Sequence, residues 1–370
     1  MHIVQSPGGV ERYILMLLKN MDLSKYDNIL VCSFDYDKEK FKDIVIAFEQ
    51  LDMVREISLK KDIFSIINVR RIIKKYNPDI VYMHSSKAGA IGRIANIGLK
   101  NKSIYNPHGW AFNMECGNKK KLLYIYIEKV LSHFCNNIVA ISDYEKKSAV
   151  IKKVCQSKKI EVINNGIDIE KNLKIESCIS RESLNIPLNA YVIGMVGRIS
   201  KQKAPDIFIK AAALIKKVIP NAYFIIVGDG EMKNEILKLV EKENLQESIK
   251  ITGWVNEPIQ YIKLFDQAML LSRWEGFGLV LAEYMLAEKP IIATDVDAIS
   301  KIILNGVNGM LVGKDDFYKA YEVSLKIKND EELKARLVEE GARIVREKYD
   351  IKRVGNETEA LFTKLINSYR

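Results

Sequence analysis

The chain has 370 residues, of which 48% are hydrophobic and 28% are charged, an ordinary composition for a globular protein of two domains. Its net charge of +10 favours an anionic partner such as a phosphorylated ligand, a nucleic acid or an acidic lipid surface, although solubility alone explains it equally well. The five cysteines and four histidines lack metal-ligand spacing and no apolar run is long enough to span a membrane, which argues against a zinc site and a transmembrane segment.

The predicted elements alternate between short β-rich runs and amphipathic segments, a rhythm typical of α/β proteins with parallel sheets. A short strand, HIVQ, comes first. Further strands of the first half are predicted at 28–34, 79–85, 103–109, 137–142 and 160–166, with helical patterns at 67–76 and 120–134. Residues 167–190 are polar and weakly periodic, and we interpret them as the connection between two domains.

The alternation resumes in the second half of the chain. Strands are predicted at 191–197, 223–230, 249–253, 268–272 and 290–296, with helices that begin at Pro205 and Leu279 and a helical region, 315–370, broken around Tyr349. The pattern predicts two doubly wound domains. Ligands of such sheets bind at the carboxyl ends of the strands, so we expect the site in the cleft between the domains.

Three junctions between a predicted strand and the next helix carry residues suited to an anion or a sugar. Gly8 and Gly9 precede a helix, where backbone N–H groups can approach an anion, although an ordinary tight turn is the commoner explanation. Arg198 and Lys203, in the loop VGRISKQKAPD, predict a diphosphate site because cations there oppose the helix dipole unless an anion binds. His108 ends a strand in NPHGW and is either structural or turned toward the ligand.

The fourth junction, RWEGFGLVLAEYM, places Glu275 and Glu283 on either side of a glycine-rich turn. On one helix their spacing would separate the two backbones by roughly 12 Å, whereas glycosidase carboxyl groups lie about 5 to 9.5 Å apart. We therefore reject a hydrolase and predict that the glutamates grip different parts of one extended ligand. The simpler alternatives are a carboxylate that stabilises the helix N-terminus at Glu275 and a solvent-facing side chain at Glu283.

Two D-x-D patterns, at 35–37 and 295–297, are compatible with a metal-bound nucleotide. Helix capping is the favoured role of the first pattern, because both aspartates precede a helical segment. The basic junction already supplies positive charge for a diphosphate. We therefore expect neither a metal ion nor any other cofactor.

The ordered set of motifs resembles one family, the retaining glycosyltransferases of the GT-B fold known as glycosyltransferase family 4. The matching stretches are GGVER, HSSKAGAIGR, PHGWAF, AISDYE, NNGID, VGRISKQKAPD, VGDGE, ITGWV and EGFGLVLAE. The resemblance implies a GT-B architecture of two Rossmann-like, doubly wound domains facing an interdomain cleft. We expect an acceptor-side domain at 1–185, a nucleotide-sugar domain at 186–350 and a C-terminal helix, 351–370, that crosses back to the first domain.

The resemblance also implies roles for residues of the second half. Arg198 and Lys203 would bind the donor diphosphate. Glu283 would hold the ribose hydroxyls, and Glu275 would hold the transferred sugar. Further donor contacts would come from the amides after Glu275 and from the region around the nucleobase: Phe277, Gly278, Leu279, Gly228, Trp254 and Val255.

In the first half, the resemblance brings His108 near the C6 hydroxyl of the sugar and the glycine pair, Gly8 and Gly9, near the phosphate. On the acceptor side, the stretch HSSKAGAIGR contributes Ser85, Ser86 and Lys87. Two departures from the family affect these expectations. Only MHIVQSP precedes Gly8, so either the start is misassigned or the first strand is short. DVDAISKII has Asp297-Ala298 and Lys301 where the family commonly shows Gly-Gly and a glutamate.

The resemblance implies transfer of a sugar from a nucleotide-diphosphate sugar to a hydroxyl of a lipid-linked saccharide or polysaccharide precursor, as in capsule or exopolysaccharide synthesis. A UDP-sugar is favoured as donor and GDP-mannose comes next. We expect retention at the anomeric carbon by front-face substitution, without a metal. The alternatives are a GT-B sugar-nucleotide epimerase and a non-enzymatic nucleotide-binding protein. No nucleic-acid-binding module is recognisable.

Two predicted helices, INVRRIIKKY and NKKKLLYIYIEKV, are basic and amphipathic, and both belong to the first half. Such helices suit an anionic membrane surface, although a solvated charged face is the commoner explanation of any single one. We expect a cytoplasmic protein that binds peripherally at the inner face of the cytoplasmic membrane.

Overall fold

The structure is a computed structural model, and it describes residues 1–5, 8–54 and 56–367. The chain divides into two compact units. Unit 1 is Met1–Gly166 together with the chain from Ile351 onward, and unit 2 is Ile167–Asp350.

Unit 1 is built on a seven-stranded parallel sheet with the strand order β3-β2-β1-β4-β5-β6-β7. Its strands are β1 His2–Val4, β2 Ile29–Ser33, β3 Ala47–Leu51, β4 Ile80–His84, β5 Lys102–Asn106, β6 Asn137–Ala140 and β7 Ile160–Val162. Its helices are α1 Gly9–Lys19, α2 Leu59–Tyr76, α3 Ser86–Ala95, α4 Asn118–Leu131, α5 Asp143–Ile151 and, from the end of the chain, α14 Ile351–Asn367.

Unit 2 repeats the arrangement with a six-stranded parallel sheet of order β10-β9-β8-β11-β12-β13. Its strands are β8 Tyr191–Val196, β9 Ala222–Val227, β10 Ile249–Ile251, β11 Gln267–Leu270, β12 Ile291–Thr294 and β13 Met310–Val312. Its helices are α6 Ile169–Lys174, α7 Pro205–Val218, α8 Lys233–Lys242, α9 Ile259–Ile262, α10 Leu279–Leu286, α11 Ile299–Ile302, α12 Phe317–Asn329 and α13 Glu331–Lys348.

In each sheet the chain first builds outward in one direction and then returns to the centre to build in the other. The reversal lies between β1 and β4 in unit 1 and between β8 and β11 in unit 2. Loops that leave neighbouring strands at such a point turn in opposite directions and leave a crevice, which is where doubly wound sheets bind ligands. The topology therefore predicts that ligands bind at the loops after these four strands.

The boundary between the predicted domains was wrong: the structure places residues 167–185 in unit 2 rather than with the first domain. The physical reason lies in their hydrogen bonds. Ile167 N donates to the Tyr349 carbonyl at 2.8 Å. The Arg181 guanidinium donates to Asp266 Oδ2 at 2.9 Å and to the Leu264 carbonyl at 2.8 Å. Residues 167–185 are thus bound to unit 2. They form a surface strap, a segment that runs along the outside of the unit, which is consistent with their weak periodicity.

The C-terminal helical region breaks at Tyr349, as the sequence predicts, and α14 then packs within unit 1. Gly355 lets this helix approach the end of α1, because a Cβ there would lie 2.9 Å from the Asn20 carbonyl oxygen. Glu359 accepts a hydrogen bond from Asp22 N at 2.8 Å, and Arg353 donates to the Asn164 carbonyl at 2.7 Å. A second break, at Asp330, was not predicted, although Asp330 caps α13 by accepting from Leu333 N.

A glycine in the centre of β8 gives a stability prediction. A Cβ on Gly194 would lie 2.0 Å from Cζ of the buried Phe265 ring. Gly194→Ala should therefore lower the free energy of unfolding by about 1–3 kcal/mol through overpacking. Urea unfolding measures the change, and Gly117→Ala is the control because its methyl group would meet nothing within 4 Å. Equal unfolding midpoints for the two variants would contradict the packing at Phe265.

Candidate active site

The loops after β8 and β11 bring two of the predicted residues into contact. Lys203 ends a one-turn 3-10 helix, Lys201–Lys203, directly before α7, and Glu275 lies in the loop between β11 and α10. Lys203 Nζ donates to Glu275 Oε2 at 2.5 Å. Only 17% of the lysine side chain and 11% of the glutamate side chain are exposed, so the pair is largely shielded from water. The two residues therefore belong to one site although they are far apart in sequence.

The start of α7 adds backbone donors beside this pair. Ala204 precedes the helix in a left-handed conformation, and no side chain caps its first turn. Pro205 occupies the first helical position, where its lack of an N–H costs nothing. The remaining amides of a helix N-terminus can approach an anion, and the helix dipole favours negative charge there.

Arg198, two residues after β8, forms a separate ion pair with Glu231 at 3.0 Å. Both side chains are more than half exposed, so this pair contributes little to stability and can open readily. The structure thus puts Arg198 at the same edge of the sheet as Lys203 while giving it a different carboxylate partner. Glu231 belongs to the VGDGE stretch, and its sequence alone did not predict a role for it.

Glu275 is held at both its carboxylate and its backbone. Ser272 Oγ donates to Glu275 Oε2 at 3.3 Å, and Glu275 N donates to Asp297 Oδ2 at 2.9 Å. Gly278 precedes α10 and no side-chain cap hydrogen bond forms, so in its alternative role Glu275 would stabilise the helix N-terminus through the helix dipole alone. Glu283 lies within α10 and is only 2% exposed, so its alternative role as a solvent-facing side chain is wrong.

The turn between the two glutamates depends on Gly278. Its φ of +82° is a conformation that side chains rarely adopt, and a Cβ there would lie 3.2 Å from Cγ of Glu275. Phe277 is buried and meets the Tyr349 ring edge-on, with ring centroids 5.5 Å apart. Leu279 is the first residue of α10. The turn is therefore shaped by packing as well as by any ligand.

Arg273 joins the loops after β8 and β11, and it was not among the predicted site residues. Its guanidinium donates to both carboxylate oxygens of Asp206, at 2.6 and 3.1 Å, and to Asp315 Oδ1 at 2.7 Å. Its backbone N donates to the Gln202 carbonyl at 2.8 Å, while Gln202 Nε2 donates to the Trp274 carbonyl at 3.1 Å. The sequence could have indicated Arg273 as a site residue, because it is a cation close to the end of a predicted strand. Its carboxylate partners could be found only in the folded chain.

Asp297 gives a mutational prediction for the same loop, at a position where the family commonly has glycine. It adopts a φ of +48°, which aspartate tolerates better than alanine, and accepts from Glu275 N. Asp297→Asn should keep near-normal kcat/KM because it retains an acceptor. Asp297→Ala should lower kcat/KM about tenfold, since it leaves the Glu275 N–H without its acceptor, a loss of roughly 1–3 kcal/mol. Equal kcat/KM values for the two variants would contradict the role of Asp297 as the acceptor that positions Glu275.

Close backbone packing requires glycine at position 228. A Cβ on Gly228 would lie 2.0 Å from the Gly197 carbonyl oxygen, and Gly228 also forms a backbone bridge to Gly253. The loops after β8, β9 and β10 therefore approach each other closely. Trp254, next to this bridge, is 73% exposed, and Val255 is half-buried. An indole so exposed is available to stack on a planar ligand.

In unit 1, Gly8 and Gly9 lie at the start of α1. Gly8 has a φ of +90° and its carbonyl accepts from Arg12 N at 2.9 Å, while Gly9 begins the helix. A Cβ on either glycine would meet nothing within 4 Å. The glycines therefore border open space, and the backbone conformation of Gly8 requires glycine. The neighbouring residues of this stretch, Ser6 and Pro7, lie outside the described residues.

His108 follows β5 in a left-handed conformation, with a φ of +51°. Its backbone N donates to Asn106 Oδ1 at 2.9 Å, and its Nε2 lies 3.0 Å from Nδ1 of His84. Tyr13 meets the ring edge-on, with centroids 4.6 Å apart. Burial lowers the pKa of His108 to about 3, so its imidazole is neutral at physiological pH.

The loop that carries His108 is braced by a buried glutamate. Glu145 Oε2 accepts from Trp110 N at 2.9 Å, and the Trp110 indole donates to the Glu145 carbonyl at 3.0 Å. Glu145 lies in AISDYE, a stretch that the sequence singled out without assigning this contact. The brace fixes the backbone two residues beyond His108.

The acceptor-side residues lie between β4 and α3. Ser85 has a φ of +77°, a strained conformation for serine, and Ser86 begins α3. Lys87 Nζ donates to both oxygens of Asp62, at 2.8 Å each, and only 10% of its side chain is exposed. The lysine is therefore engaged by α2 rather than extended into solvent.

One aspartate of each D-x-D pattern has a role within the fold. Asp37 caps a one-turn 3-10 helix, Lys38–Phe41, by accepting from Glu39 N at 3.0 Å, as predicted. Asp297 holds the backbone of Glu275. Among residues 1–5, 8–54 and 56–367, no three His, Cys, Asp or Glu side chains lie close enough to hold a metal ion.

Two family models divide the chain between them. Residues 7–171 match Glycosyltransferase Family 4, and residues 178–344 match Glycosyl transferases group 1. A protein of the Klebsiella pneumoniae cps region, described only as a 41.2 kDa protein, is 33% identical over 87% of this chain and 88% of its own length. This chain belongs to the glycosyltransferase group 1/family 4 family. It is a glycosyltransferase.

Curated relatives include a UDP-Gal:alpha-D-GlcNAc-diphosphoundecaprenol alpha-1,3-galactosyltransferase of Escherichia coli, 29% identical over 88% of this chain and 86% of its own. Among solved structures, HepE of Anabaena, crystallised with UDP and glucose, superposes with a TM-score of 0.81 at 20% identity, covering 98% of this chain and 99% of its own. Sucrose-phosphate synthase of Thermosynechococcus elongatus gives a TM-score of 0.84 at 16% identity, covering 99% of each chain. The predicted GT-B fold is confirmed.

Proposed function

We propose that this glycosyltransferase moves a hexose from a UDP-sugar to a hydroxyl of a lipid-linked saccharide or polysaccharide precursor. GDP-mannose is the next candidate donor. The donor assignment is supported by the E. coli relative, whose name specifies UDP-Gal, and by HepE, which was crystallised with UDP-glucose. The acceptor assignment is supported by the same E. coli relative, whose name specifies a diphosphoundecaprenol-linked sugar.

The observation that carries the proposal is the shielded contact between Lys203 and Glu275 at the start of α7. The lysine and the helix amides would neutralise the donor diphosphate, assisted by Arg198 once its exposed pair with Glu231 opens. Glu275 would then hold hydroxyls of the sugar attached to that diphosphate. A cation and a carboxylate in contact match the two ends of one sugar–phosphate bond.

In the proposed reaction, the bond from the anomeric carbon to the diphosphate oxygen breaks as the sugar ring gains oxocarbenium character. The acceptor oxygen forms the new bond on the same face, which retains the configuration. The acceptor's proton passes to the departing diphosphate. Lys203, Arg198 and the α7 amides stabilise the charge that develops on this leaving group, a task that needs donors already in place.

We propose that these groups take the place of a metal ion. The aspartates that would be candidate ligands support this view, because Asp37 caps a helical turn and Asp297 accepts from Glu275 N. Transfer measured with and without EDTA tests the proposal. Loss of activity in EDTA that added Mg²⁺ or Mn²⁺ restores would overturn metal independence while leaving the donor assignment intact.

A thermal-shift screen against UDP-, GDP-, ADP- and dTDP-sugars tests the donor without assuming an acceptor. UDP-sugars should raise the melting temperature most, since only a ligand bound to the folded state stabilises it. If every GDP-sugar raised the melting temperature more than the UDP-sugars did, the proposed donor would be GDP-mannose instead. The anomeric configuration of the product, read by NMR, then tests retention.

For the acceptor we propose that unit 1 binds an anionic membrane surface. Helix α2 exposes a row of large apolar side chains, Leu59, Ile63 and Ile67, with Phe64 beside them. Helix α4 exposes a second set: Leu122, Leu123, Tyr126 and Val130. Lysines accompany both sets, at positions 60, 61, 119, 120, 121 and 129. Exposed apolar side chains next to lysines suit the boundary between headgroups and acyl chains.

Within the part of the chain that the structure describes, no helix combines the length and the apolar composition needed to cross a bilayer. Vesicle flotation tests peripheral binding. The protein should float with phosphatidylglycerol vesicles and not with phosphatidylcholine vesicles. Phe64→Glu and Leu122→Glu should weaken flotation, whereas Leu237→Glu, on an exposed face of α8 in unit 2, should not. Equal flotation of all three variants would exclude this surface.

A further inference from the structure

Two ion pairs join the segments that follow β8 and β11. Lys203, after β8, contacts Glu275, after β11. In the other pair, Arg273, after β11, contacts Asp206 in the first turn of α7. The exposed fractions of these four side chains lie between 11% and 19%, so water and salt screen both pairs poorly. The four charges are therefore paired across the two segments.

The position of Asp206 in the sequence favours a different arrangement. Asp206 is the second residue of α7 and the third residue after Lys203. A carboxylate in the first turn of a helix is attracted to the helix amides and to the positive end of the dipole. Both hydrogen bonds described for this carboxylate come instead from the Arg273 guanidinium, at 2.6 and 3.1 Å. Arg273 thus directs Asp206 toward the loop after β11.

Arg273 is itself fixed by other contacts. Its Nη1 donates to the Lys201 carbonyl at 2.9 Å, and its backbone N donates to the Gln202 carbonyl at 2.8 Å. Its Nε donates to Asp315 Oδ1 at 2.7 Å. The Asp315 side chain is 45% exposed, so water screens its charge, whereas Asp206 is 19% exposed and accepts two bonds. The charge that Arg273 mainly neutralises is therefore that of Asp206.

Removing Arg273 would leave the shielded Asp206 carboxylate without its cation, a costly state. The carboxylate would then be drawn to the positive groups of its own segment, which are the Lys203 ammonium and the amides of the first turn of α7. The proposed function assigns these same groups to the donor diphosphate. A carboxylate there would compete with the phosphates for their donors and repel them.

We propose that Arg273 is a positioning residue that holds the Asp206 carboxylate and so keeps Lys203 and the first turn of α7 available to a diphosphate. The inference rests on the proposed function, which binds the donor diphosphate at this place. Arg273 acts through Asp206 and does not need to touch the ligand. Its importance therefore depends on the negative charge of Asp206, and this dependence separates the proposal from a role in shaping the loop.

The first test measures affinity for a diphosphate by calorimetric titration with UDP and with inorganic pyrophosphate. Arg273→Gln should bind both ligands roughly 10- to 100-fold more weakly than wild-type protein, because an uncompensated carboxylate then faces the phosphates. Glutamine is chosen because it keeps a side-chain N–H donor and loses the charge. Unchanged affinity for both ligands would overturn the proposal.

Arg181→Gln is the matched control. Like Arg273, Arg181 pairs with an aspartate, Asp266, and donates to backbone carbonyl groups, and its side chain is 21% exposed. Its partner Asp266 directly precedes β11, whereas Arg273 follows the carboxyl end of that strand. Arg181→Gln should leave the affinity for UDP and pyrophosphate unchanged. Equal losses in the two variants would show that the affinity reports general stability, which would contradict the proposal.

The second test removes the carboxylate together with the arginine. Arg273→Gln combined with Asp206→Asn should recover the wild-type affinity to within about threefold, since no charge then remains to be neutralised. A loop that needs the arginine for its shape would stay impaired, so persistent weak binding would contradict the proposal. Asp206→Asn alone should bind both ligands at least as tightly as wild-type protein. If Arg273→Gln does not fold, weaker binding by Asp206→Asn would overturn the proposal.

The use of two ligands distinguishes this inference from the proposed function. If wild-type protein bound pyrophosphate but not UDP, the UDP donor would be rejected, and the pyrophosphate affinities would still test Arg273. If it bound neither ligand, the diphosphate site at α7 would be rejected together with this role of Arg273. If wild-type protein and Arg273→Gln bound UDP and pyrophosphate equally well, only the role of Arg273 would be rejected.

Discussion

Replacing Lys203 with alanine should lower kcat for sugar transfer about 100- to 1,000-fold, the usual cost of one preorganised contact to charge that develops in the transition state. The Lys203 ammonium group lies 2.5 Å from Glu275 Oε2, and the residue closely precedes α7, so we expect the lysine to bind the departing diphosphate together with the helix amides. Its effect should fall mainly on kcat, because the leaving group carries more charge in the transition state than in the bound donor.

The control is Lys201→Ala, in the same helical turn. Lys201 is exposed, and its contact with Arg273 is made by its backbone carbonyl, which the substitution preserves. Circular dichroism should show an intact fold in both variants. Near-normal turnover of Lys203→Ala would reject the assignment of this residue.

The ion pair requires one further variant. Removing Lys203 leaves the shielded Glu275 carboxylate without its cation, which can destabilise the loop independently of catalysis. Adding Glu275→Gln to Lys203→Ala removes the uncompensated charge. We expect the double variant to recover melting temperature but not activity. Recovery of both would indicate that Lys203 acts only through the stability of this loop.

The secondary structure of the fold could be predicted where strands are fully buried. Strands such as β4 and β8 are continuous apolar runs between turn residues, and their positions were confirmed. β3 and β13 were missed. Glu49 and Gln50 interrupt the apolar pattern of β3, and β13 is an apolar run of only three residues between two glycines. The boundary at 166/167 was missed because a surface strap contains neither a long apolar run nor a regular period.

The members of the candidate site could be identified, but not their contacts. Junction residues such as Lys203 and Glu275 are recognisable because a cation or a carboxylate at a strand end is unusual. Their pairing depends on β8 and β11 being neighbours, and strand order is not encoded in a local pattern. The same holds for Arg273, whose partners come from two other segments. The contact between His84 and His108 was hidden for this reason too, since it requires β4 and β5 to be adjacent.

Glu283→Ala should lower kcat/KM for the UDP-sugar donor about 10- to 100-fold, mostly through KM. The proposed role of Glu283 is to accept hydrogen bonds from the ribose hydroxyls, and bonds to a charged group contribute roughly 1.5–3 kcal/mol. Glu283 is 2% exposed and lies in α10, whose residues 280–286 are all buried. Ribose contacts are made equally in the bound donor and in the transition state, so the loss should appear in binding.

A donor that lacks the 2′ and 3′ hydroxyls turns this expectation into a double-mutant cycle. Wild-type enzyme should lose about 10- to 100-fold with the dideoxy donor, whereas Glu283→Ala should lose little more, because both changes remove the same hydrogen bonds. Glu288→Ala, exposed and paired only loosely with Arg346 at 3.6 Å, is the matched control and should keep the wild-type discrimination. If Glu283→Ala still discriminates fully between the two donors, the buried glutamate does not hold the ribose. Its burial in α10 would then be a matter of packing within unit 2, and the ribose would have to be sought at another strand end of the same sheet.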